Sequence, residues 1–251
     1  MKRAFADLSE YLGDPDFVKV PVKGLTSKGY ADALRIKINP IKATAGKDIR
    51  PGNAPRYEHD ETTHLSVVDK EGNAVSSTYT LNGSFGNGIV VEGGGFLLNN
   101  EMDNFNVRPG KVDEHGMREG EANAIVPNKG MLSAMSPTMV MKDGRVFLVT
   151  GSPGSNRIIS TNLQVIMNVI DHGMNIQEAV NASRVHNDWL PDELQIEKGI
   201  SPDTVKRLSD LGHTVTVAPP MGASASILID RKTSMRFGAA DPRREGASFG
   251  Y

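Results

Sequence analysis

The sequence predicts an α+β domain in which sheets and helices form layers. Two hairpins carry most of the evidence for the sheets: residues 62–68 and 73–81 are β-rich and flank a turn at 69–72, and residues 137–141 and 145–150 flank a turn at 142–144. Helical stretches with apolar residues every three or four positions follow these hairpins. Hairpins that alternate with amphipathic helices are typical of a layered α+β fold.

The first sixty residues contain two helical stretches and a long polar segment. Phe5, Leu8 and Leu12 have helical spacing within residues 2–12, and residues 13–16 break that helix. A second helix opens at residues 25–27 and carries Tyr30, Leu34 and Ile36, whereas residues 39–59 are polar and contain three prolines. Two helices and a loop cannot build a core, so this part is predicted to be the end of something larger.

The middle of the chain is rich in glycine and asparagine. The loop at residues 82–88 follows the first hairpin, a short apolar strand is predicted at residues 96–98, and a mobile surface loop at residues 106–128.

The remaining elements alternate between helix and strand. Residues 151–157 open a helix, for which the expected apolar side is Ile158, Leu163, Ile166 and Ile170. Further helices are predicted at residues 175–183 and 201–211, and strands at residues 194–197, 213–217, 225–229 and 235–239.

Composition excludes several classes of function. The 251 residues carry a formal charge of -2 with scattered basic residues, which argues against a nucleic-acid partner. Without cysteine there are no disulfides, thiolate metal sites or cysteine nucleophiles, and the six histidines lack metal-ligand spacing, so no metal or cofactor is expected. No apolar run is long enough to span a membrane, and the first seven residues lack the apolar core of a signal peptide.

Thr62 stands where a polar, Pro-rich segment gives way to a strand. If the chain were cut before it, one residue would carry both a hydroxyl nucleophile and an α-amine that acts as its base. A threonine that merely belongs to a strand fits the same pattern. The Gly-Ser-Pro-Gly-Ser-Asn run at residues 151–156 exposes N–H groups that suit an oxyanion, although a tight turn explains that run equally well.

Taken together, a series of motifs in order strongly resembles the γ-glutamyltranspeptidase family over essentially the whole chain. The motifs lie at residues 62–69, 78–82, 97–103, 136–138, 151–154, 189–194, 197–199 and 241–243. The resemblance implies the four-layer αββα sandwich of the N-terminal nucleophile hydrolases. It also implies that residues 1–61 end a large subunit, and that self-cleavage between Glu61 and Thr62 frees residues 62–251 as the catalytic small subunit.

The resemblance further implies a role for each matched position. Thr62 is the expected nucleophile, Thr80 positions it, and the N–H groups of Gly154 and Ser155 hold the oxyanion. The donor amino acid is expected to contact five residues: Asn82, Glu101, Asn104, Ser133 and Ala134. Glutathione or another γ-glutamyl amide is the implied donor, water or an amino acid or dipeptide the acceptor, and the periplasm or the extracellular space the implied location.

Several positions depart from the family pattern. Asn104 replaces a usual aspartate and Ala134 a usual serine, both of which weaken the grip on the amino-acid end of the donor. Ser155 replaces a second glycine, and His115 stands where some members have a tyrosine. A glutaryl-type acylase therefore remains an alternative, as does an inactive fragment that only binds a partner. The upstream arginine that binds the donor carboxylate in the family is not in this chain, so little activity is expected from it alone.

Overall fold

The computed structural model describes residues 1–50, 62–110 and 120–250. The chain divides into two compact units, each formed from three segments. The first unit comprises Met1–Tyr57, Met102–Ser133 and Val185–Ala218, and the second comprises Glu58–Glu101, Ala134–Arg184 and Pro219–Tyr251. This division into units does not test the predicted processing boundary between residues 61 and 62, which stays a prediction.

A four-stranded antiparallel sheet forms the centre of the second unit. Its strands are β3 (Thr138–Lys142), β4 (Arg145–Gly151), β8 (Ala225–Ile229) and β9 (Arg236–Ala240), in that order across the sheet. Asp143 and Gly144, with φ of 50° and 75°, make the β3–β4 turn that the sequence predicts.

Two helices cover one face of this sheet. Helix α4 spans Arg157–Ile170, and α5 spans Ile176–Asn181. Asn175 caps α5 in a capping box with Glu178. The helices bury an apolar cluster against the sheet: Leu148, Val165, Val169, Ile176, Ala179, Val180 and Ala239.

The predicted apolar side of α4 is partly wrong. Ile158 is buried and Ile166 packs against the core, but Leu163 and Ile170 are 46% and 52% exposed. The buried face instead continues through Asn162 and on to Val165 and Val169. A polar side chain on the buried face conceals the helical period from a search for apolar residues alone.

The hairpin of β1 (Thr62–Val68) and β2 (Ala74–Thr80) packs against the central sheet through β4 and β8. Its inner face is polar, because hydroxyls reach across to backbone carbonyls: Ser66 Oγ donates to Ala225 O at 2.9 Å and Ser76 Oγ to Thr150 O at 3.1 Å. The second unit therefore contains an α–β–β stack, three of the four layers expected for an αββα sandwich.

A buried ion pair holds the end of the chain to the second unit. Arg184, 2% exposed, donates to Asp241 Oδ2 and to Met221 O, each at 2.5 Å. Asp241 also accepts from the backbone N–H of Ser224 at 2.8 Å and from Arg243 at 3.1 Å. The carboxylate is thus satisfied on both oxygens, as burial of a charge requires.

The strand predicted at residues 96–98 is wrong. In the structure this segment makes only an isolated antiparallel bridge between Val90 and Leu97. The three consecutive glycines at residues 93–95 lower the strand preference there.

In its described residues the first unit contains four short α-helices, a 3-10 helix at Gly46–Asp48 and a small mixed sheet. The helices are α1 (Lys2–Tyr11), α2 (Val22–Leu25), α3 (Lys28–Ile36) and α6 (Pro202–Asp210), of which α2 is absent from the sequence prediction. The sheet comprises β5 (Val185–His186), β6 (Leu194–Ile196) and β7 (Val215–Val217), and β5 is likewise unpredicted. Phe5 packs edge-on against His186, and Trp189 Nε1 donates to Gly46 O, so the N-terminal helix has a core within this unit.

The prediction of a surface loop at residues 106–128 is only partly right where the structure describes it, because Val107, Ile125 and Val126 are exposed but two asparagines are not. Asn106 and Asn123 are buried, and the N–H of Asn106 donates to Asn123 O at 2.9 Å. Asn106 Nδ2 donates to Gly120 O, and Asn123 Oδ1 accepts from Leu132 N. Polar composition was misleading because these amides satisfy the loop backbone internally.

Candidate functional site

Thr62 is the first residue of β1 and lies directly opposite Thr80 on β2. The Thr62 Oγ1–H donates to Thr80 Oγ1 at 3.3 Å, and Thr80 Oγ1 also accepts from the backbone N–H of Asn82 at 2.8 Å. Both threonines are half-buried. The hairpin register thus holds the Thr62 hydroxyl at a fixed place at the open end of β1. Arg244, which the sequence analysis missed, donates to the Thr62 carbonyl at 3.2 Å.

Two loops that carry asparagines meet beside these threonines. Asn82 adopts a left-handed φ of 71°, and its Nδ2 donates to Asn100 O at 3.2 Å. Asn100 Oδ1 accepts from Gly83 N at 2.8 Å, and Asn99 Oδ1 accepts from Glu101 N at 3.0 Å. The Asn99–Asn100 pair therefore does more than form a plain turn, because it ties Asn82 to the segment that carries Glu101.

The loop between β4 and α4 has an unusual backbone. Gly154 has φ of 128° and Ser155 has φ of 50°, so both lie in the region that favours glycine. A serine in this conformation carries a steric cost of about 1 kcal/mol or more. The two N–H groups predicted to hold an oxyanion belong to this turn.

A segment that the sequence analysis missed lies behind this loop. A Cβ on Gly154 would lie 3.1 Å from Gly222 Cα, and one on Gly222 would lie 2.5 Å from Ser152 Oγ. Ser152 Oγ accepts from Ala223 N at 2.9 Å and donates to Pro153 O at 2.6 Å. The available sequence signal was a glycine two residues after the Pro219–Pro220 pair, and this pattern is compatible with many turns.

The segment that follows Ala134 is tied to α4. Asn162 Nδ2 donates to Ser136 O at 2.7 Å, and Thr138 Oγ1 donates to the same carbonyl at 2.8 Å. Because α4 begins just after Ser155, the Ala134 segment and the β4–α4 loop share one support.

The second unit thus holds seven of the predicted site residues: Thr62, Thr80, Asn82, Glu101, Ala134, Gly154 and Ser155. Asn104 and Ser133 belong to the first unit, where Asn123 Nδ2 donates to Asn104 O at 2.6 Å and Ser133 is exposed. Glu61 and His115 lie outside the described residues.

The described residues contain neither a metal-binding cluster nor a membrane-spanning helix. Among residues 1–50, 62–110 and 120–250, no group of three His, Cys, Asp or Glu side chains could hold a metal ion. Over the same ranges, no helix is both long and apolar enough to cross a bilayer.

The layered fold is that of the N-terminal nucleophile hydrolases. A sequence model of the family described as gamma-glutamyltranspeptidase matches residues 1–251. The chain therefore belongs to the γ-glutamyltranspeptidase family.

Similar proteins include both transpeptidases and acylases. The glutathione hydrolase proenzyme of Escherichia coli K12 is 54% identical over 242 residues, which cover 96% of this chain and 42% of that protein. The T380A mutant of Helicobacter pylori γ-glutamyltranspeptidase superposes with a TM-score of 0.68 at 52% identity, covering 72% of this chain and 100% of that chain. Cephalosporin acylase from Bacillus halodurans gives a TM-score of 0.82 at 27% identity, covering 100% of this chain and 44% of that chain.

Nearly all of this chain matches the E. coli relative, but the chain matches only part of that relative. The chain spans well under half the length of the E. coli glutathione hydrolase proenzyme, although nearly all of the chain is matched. What the whole-length relatives do is therefore transferred to this chain only as a proposal.

Proposed function

We propose that this chain forms the catalytic part of a γ-glutamyl transferase or hydrolase whose nucleophile is Thr62. The observation that carries the proposal is the Thr62 hydroxyl at the start of β1, hydrogen-bonded to Thr80 at 3.3 Å. The expected donors are glutathione and related γ-glutamyl amides. The acceptor is water, which gives hydrolysis, or an amino acid or dipeptide, which gives transfer.

Before it can attack a donor, Thr62 has to acquire the free α-amine that serves as its general base. Thr62 Oγ1 attacks the carbonyl carbon of Glu61, the peptide C–N bond breaks, and the hydroxyl proton passes to the departing α-nitrogen. Water then hydrolyses the ester, leaving a carboxyl on Glu61 and a free α-amine on Thr62. An α-amine has a pKa of about 7.7–8.0 in model peptides, so a useful fraction is unprotonated near neutral pH.

Donor cleavage repeats the same chemistry on a substrate amide. The α-amine takes the proton of the Thr62 hydroxyl as Oγ1 bonds to the γ-carbonyl carbon, and the leaving amine takes that proton as the amide C–N bond breaks. N–H groups of Gly154 and Ser155 stabilise the oxyanion, a contribution typically of about 3–4 kcal/mol per donor. Water or an acceptor amine then releases the acyl group from Thr62.

Residues that bind the donor follow from the family resemblance. Asn82 and Glu101, which the asparagine network draws together, contact the donor α-amino group, as does Asn104. Ser133 and Ala134 face the donor α-carboxylate. The polypeptide that relatives carry upstream of the matched region supplies the remaining contacts, and the location is the periplasm or the extracellular space.

A glutaryl amide is the second candidate donor. Asn104 offers the donor ammonium a neutral amide where the family usually has a carboxylate, and Ala134 offers no hydroxyl to the donor carboxylate. A glutaryl group lacks the ammonium and loses nothing at Asn104. The match to a cephalosporin acylase supports this candidate.

The test compares single-turnover acylation of Thr62 by γ-glutamyl 4-nitroanilide and by glutaryl 4-nitroanilide. Intact mass detects the acylated chain, and the release of nitroaniline gives the rate. We expect faster acylation by the γ-glutamyl compound and none in Thr62→Ala. Faster acylation by the glutaryl compound would replace the first candidate with the second. Equal release of nitroaniline by Thr62→Ala would rule out both candidate functions.

A further inference from the structure

His64 lies in the polar layer between the hairpin and the central sheet, two residues along β1 from Thr62. Its Nδ1 lies 2.8 Å from Thr78 Oγ1, and its Nε2 lies 3.1 Å from Ser66 Oγ. Ser66 uses its own proton to donate to Ala225 O. Ser66 can therefore only accept from His64, which places the ring proton on Nε2 and leaves Nδ1 to accept from Thr78.

The same ring fills the space where Gly151 has no side chain. A Cβ on Gly151 would lie 2.1 Å from His64 Cε1, 2.4 Å from Nδ1 and 2.6 Å from Nε2. Gly151 is the last residue of β4, and the loop with Gly154 and Ser155 starts immediately after it. The imidazole therefore spans the gap between the nucleophile's strand and the strand that ends in this loop.

We propose that His64 is a positioning residue that sets the separation between Thr62 and the Gly151–Ser155 loop. The inference rests on the proposed function, because the separation matters only if Thr62 attacks a carbonyl whose oxygen this loop receives. Reaction rates fall about 100-fold when reacting groups are misplaced by roughly 1 Å. The three heavy atoms nearest to a Cβ on Gly151 all belong to this ring, so its loss opens a gap between these two backbones.

The neutral ring suits this role. Burial lowers the His64 pKa from 6.5 to about 4, so the ring is uncharged near neutral pH. A neutral imidazole needs one donor and one acceptor, and Thr78 and Ser66 supply them. His64 itself does not touch the substrate in this proposal, and it acts through Gly151.

A double-mutant cycle of His64→Ala and Gly151→Ala tests the inference by two readouts. The first is hydrogen exchange of the peptide that covers residues 151–157, and the second is the rate of Thr62 acylation by γ-glutamyl 4-nitroanilide. Each single variant should raise exchange about tenfold and slow acylation about 100-fold. In the double variant the new methyl group occupies the vacated ring space, so the effects should be smaller than the sum of the singles.

Several outcomes separate this inference from the proposed function. Additive effects, or exchange and acylation within about twofold of the unmodified chain in His64→Ala, overturn the positioning role. If the unmodified chain is not acylated at all, the proposed function fails while the exchange cycle still decides the role of His64. His172→Ala, at an exposed histidine after α4, is the matched control and should change neither readout.

A milder variant guards against global unfolding. Exchange of peptides from α4 reveals whether His64→Ala unfolds the second unit. In that event Ser66→Ala, which removes the acceptor at Nε2, must still raise exchange at residues 151–157, and an unchanged loop overturns the proposal.

Discussion

At the scale of single residues, the sequence was most informative about Thr62 and Thr80. The structure pairs Thr62 with Thr80, whereas a four-residue turn at residues 69–72 would place Tyr79 opposite Thr62. The hairpin pattern thus predicted the two strands, and the resemblance to the family predicted Thr80 as the partner of Thr62. The contact between His64 and Gly151 could not be predicted, because these residues are far apart in sequence and the ring replaces a side chain that glycine lacks. Contacts between distant segments depend on packing that no local pattern encodes.

Asn104→Asp should improve the use of γ-glutamyl donors. A carboxylate restores a charge-assisted hydrogen bond to the donor ammonium, worth roughly 1 kcal/mol more than the amide, or about a fivefold gain. The ratio of acylation rates with γ-glutamyl and glutaryl 4-nitroanilides measures the effect. Asn128→Asp, in an exposed turn, makes the same change of charge and should leave the ratio unaltered. No gain in Asn104→Asp would remove Asn104 from the donor site.

The stability of the second unit should depend on pH through His64. Its folded pKa is about 4 and its ordinary value 6.5, so the unfolded chain binds more protons between these values, and stability falls as pH drops from 6.5 toward 4. The neighbours that the structure gives the ring are the hydroxyls of Thr78 and Ser66 and the backbone of Gly151, none of which is charged.

His64→Gln isolates this contribution from other titrating groups. The gap in Tm between the unmodified chain and the variant should narrow as pH falls from 6.5 toward 4, as measured by thermal unfolding. A gap that stays constant over this range would show that the ring titrates alike in both states.

At the scale of elements, most strands and helices followed their sequence patterns, and the unexpected buried faces of β1 and α4 share a cause. β1 alternates regularly, but its polar residues face the central sheet while Leu65 and Val67 are 48% and 52% exposed. Helix α4 likewise buries Asn162 and exposes Leu163. The alternation of β1 was therefore readable from the sequence, whereas the face that β1 or α4 buries was not, because buried polar side chains satisfy their own hydrogen bonds.

Asp241→Ala should strongly destabilise the second unit. Removal of one member of a buried pair leaves the Arg184 guanidinium uncompensated, at a cost of about 3–5 kcal/mol. Chemical denaturation measures the loss. Asp210→Ala breaks the exposed pair with Lys206 and should cost about 0.5 kcal/mol or less. Equal losses in the two variants would contradict a structural role for the buried pair.

At the scale of the whole molecule, the chain is matched almost throughout but spans only 42% of the E. coli relative. The outer face of the β1–β2 hairpin is apolar and exposed at Leu65, Val67, Val75 and Tyr79. An exposed apolar sheet face favours association with further polypeptide. We therefore expect this chain to cleave itself before Thr62 but to bind the donor weakly.

The chain should turn over γ-glutamyl 4-nitroanilide much more slowly than the E. coli relative does. Thr62, Thr80 and the Gly154 loop all lie in the second unit, but the chain covers only 42% of the E. coli relative. Steady-state release of nitroaniline, measured beside the E. coli relative, checks this expectation. Turnover equal to that of the relative would show that the upstream polypeptide is dispensable.

Intact-mass analysis of the purified chain after incubation at neutral pH tests the central claim most directly. If Thr62 is the nucleophile that releases itself, the chain should yield two polypeptides, residues 1–61 and 62–251. Thr62→Ser should still divide at this bond, and Thr62→Ala should remain whole. A single uncleaved polypeptide from the unmodified chain, or equal cleavage of Thr62→Ala, would contradict the assignment of Thr62.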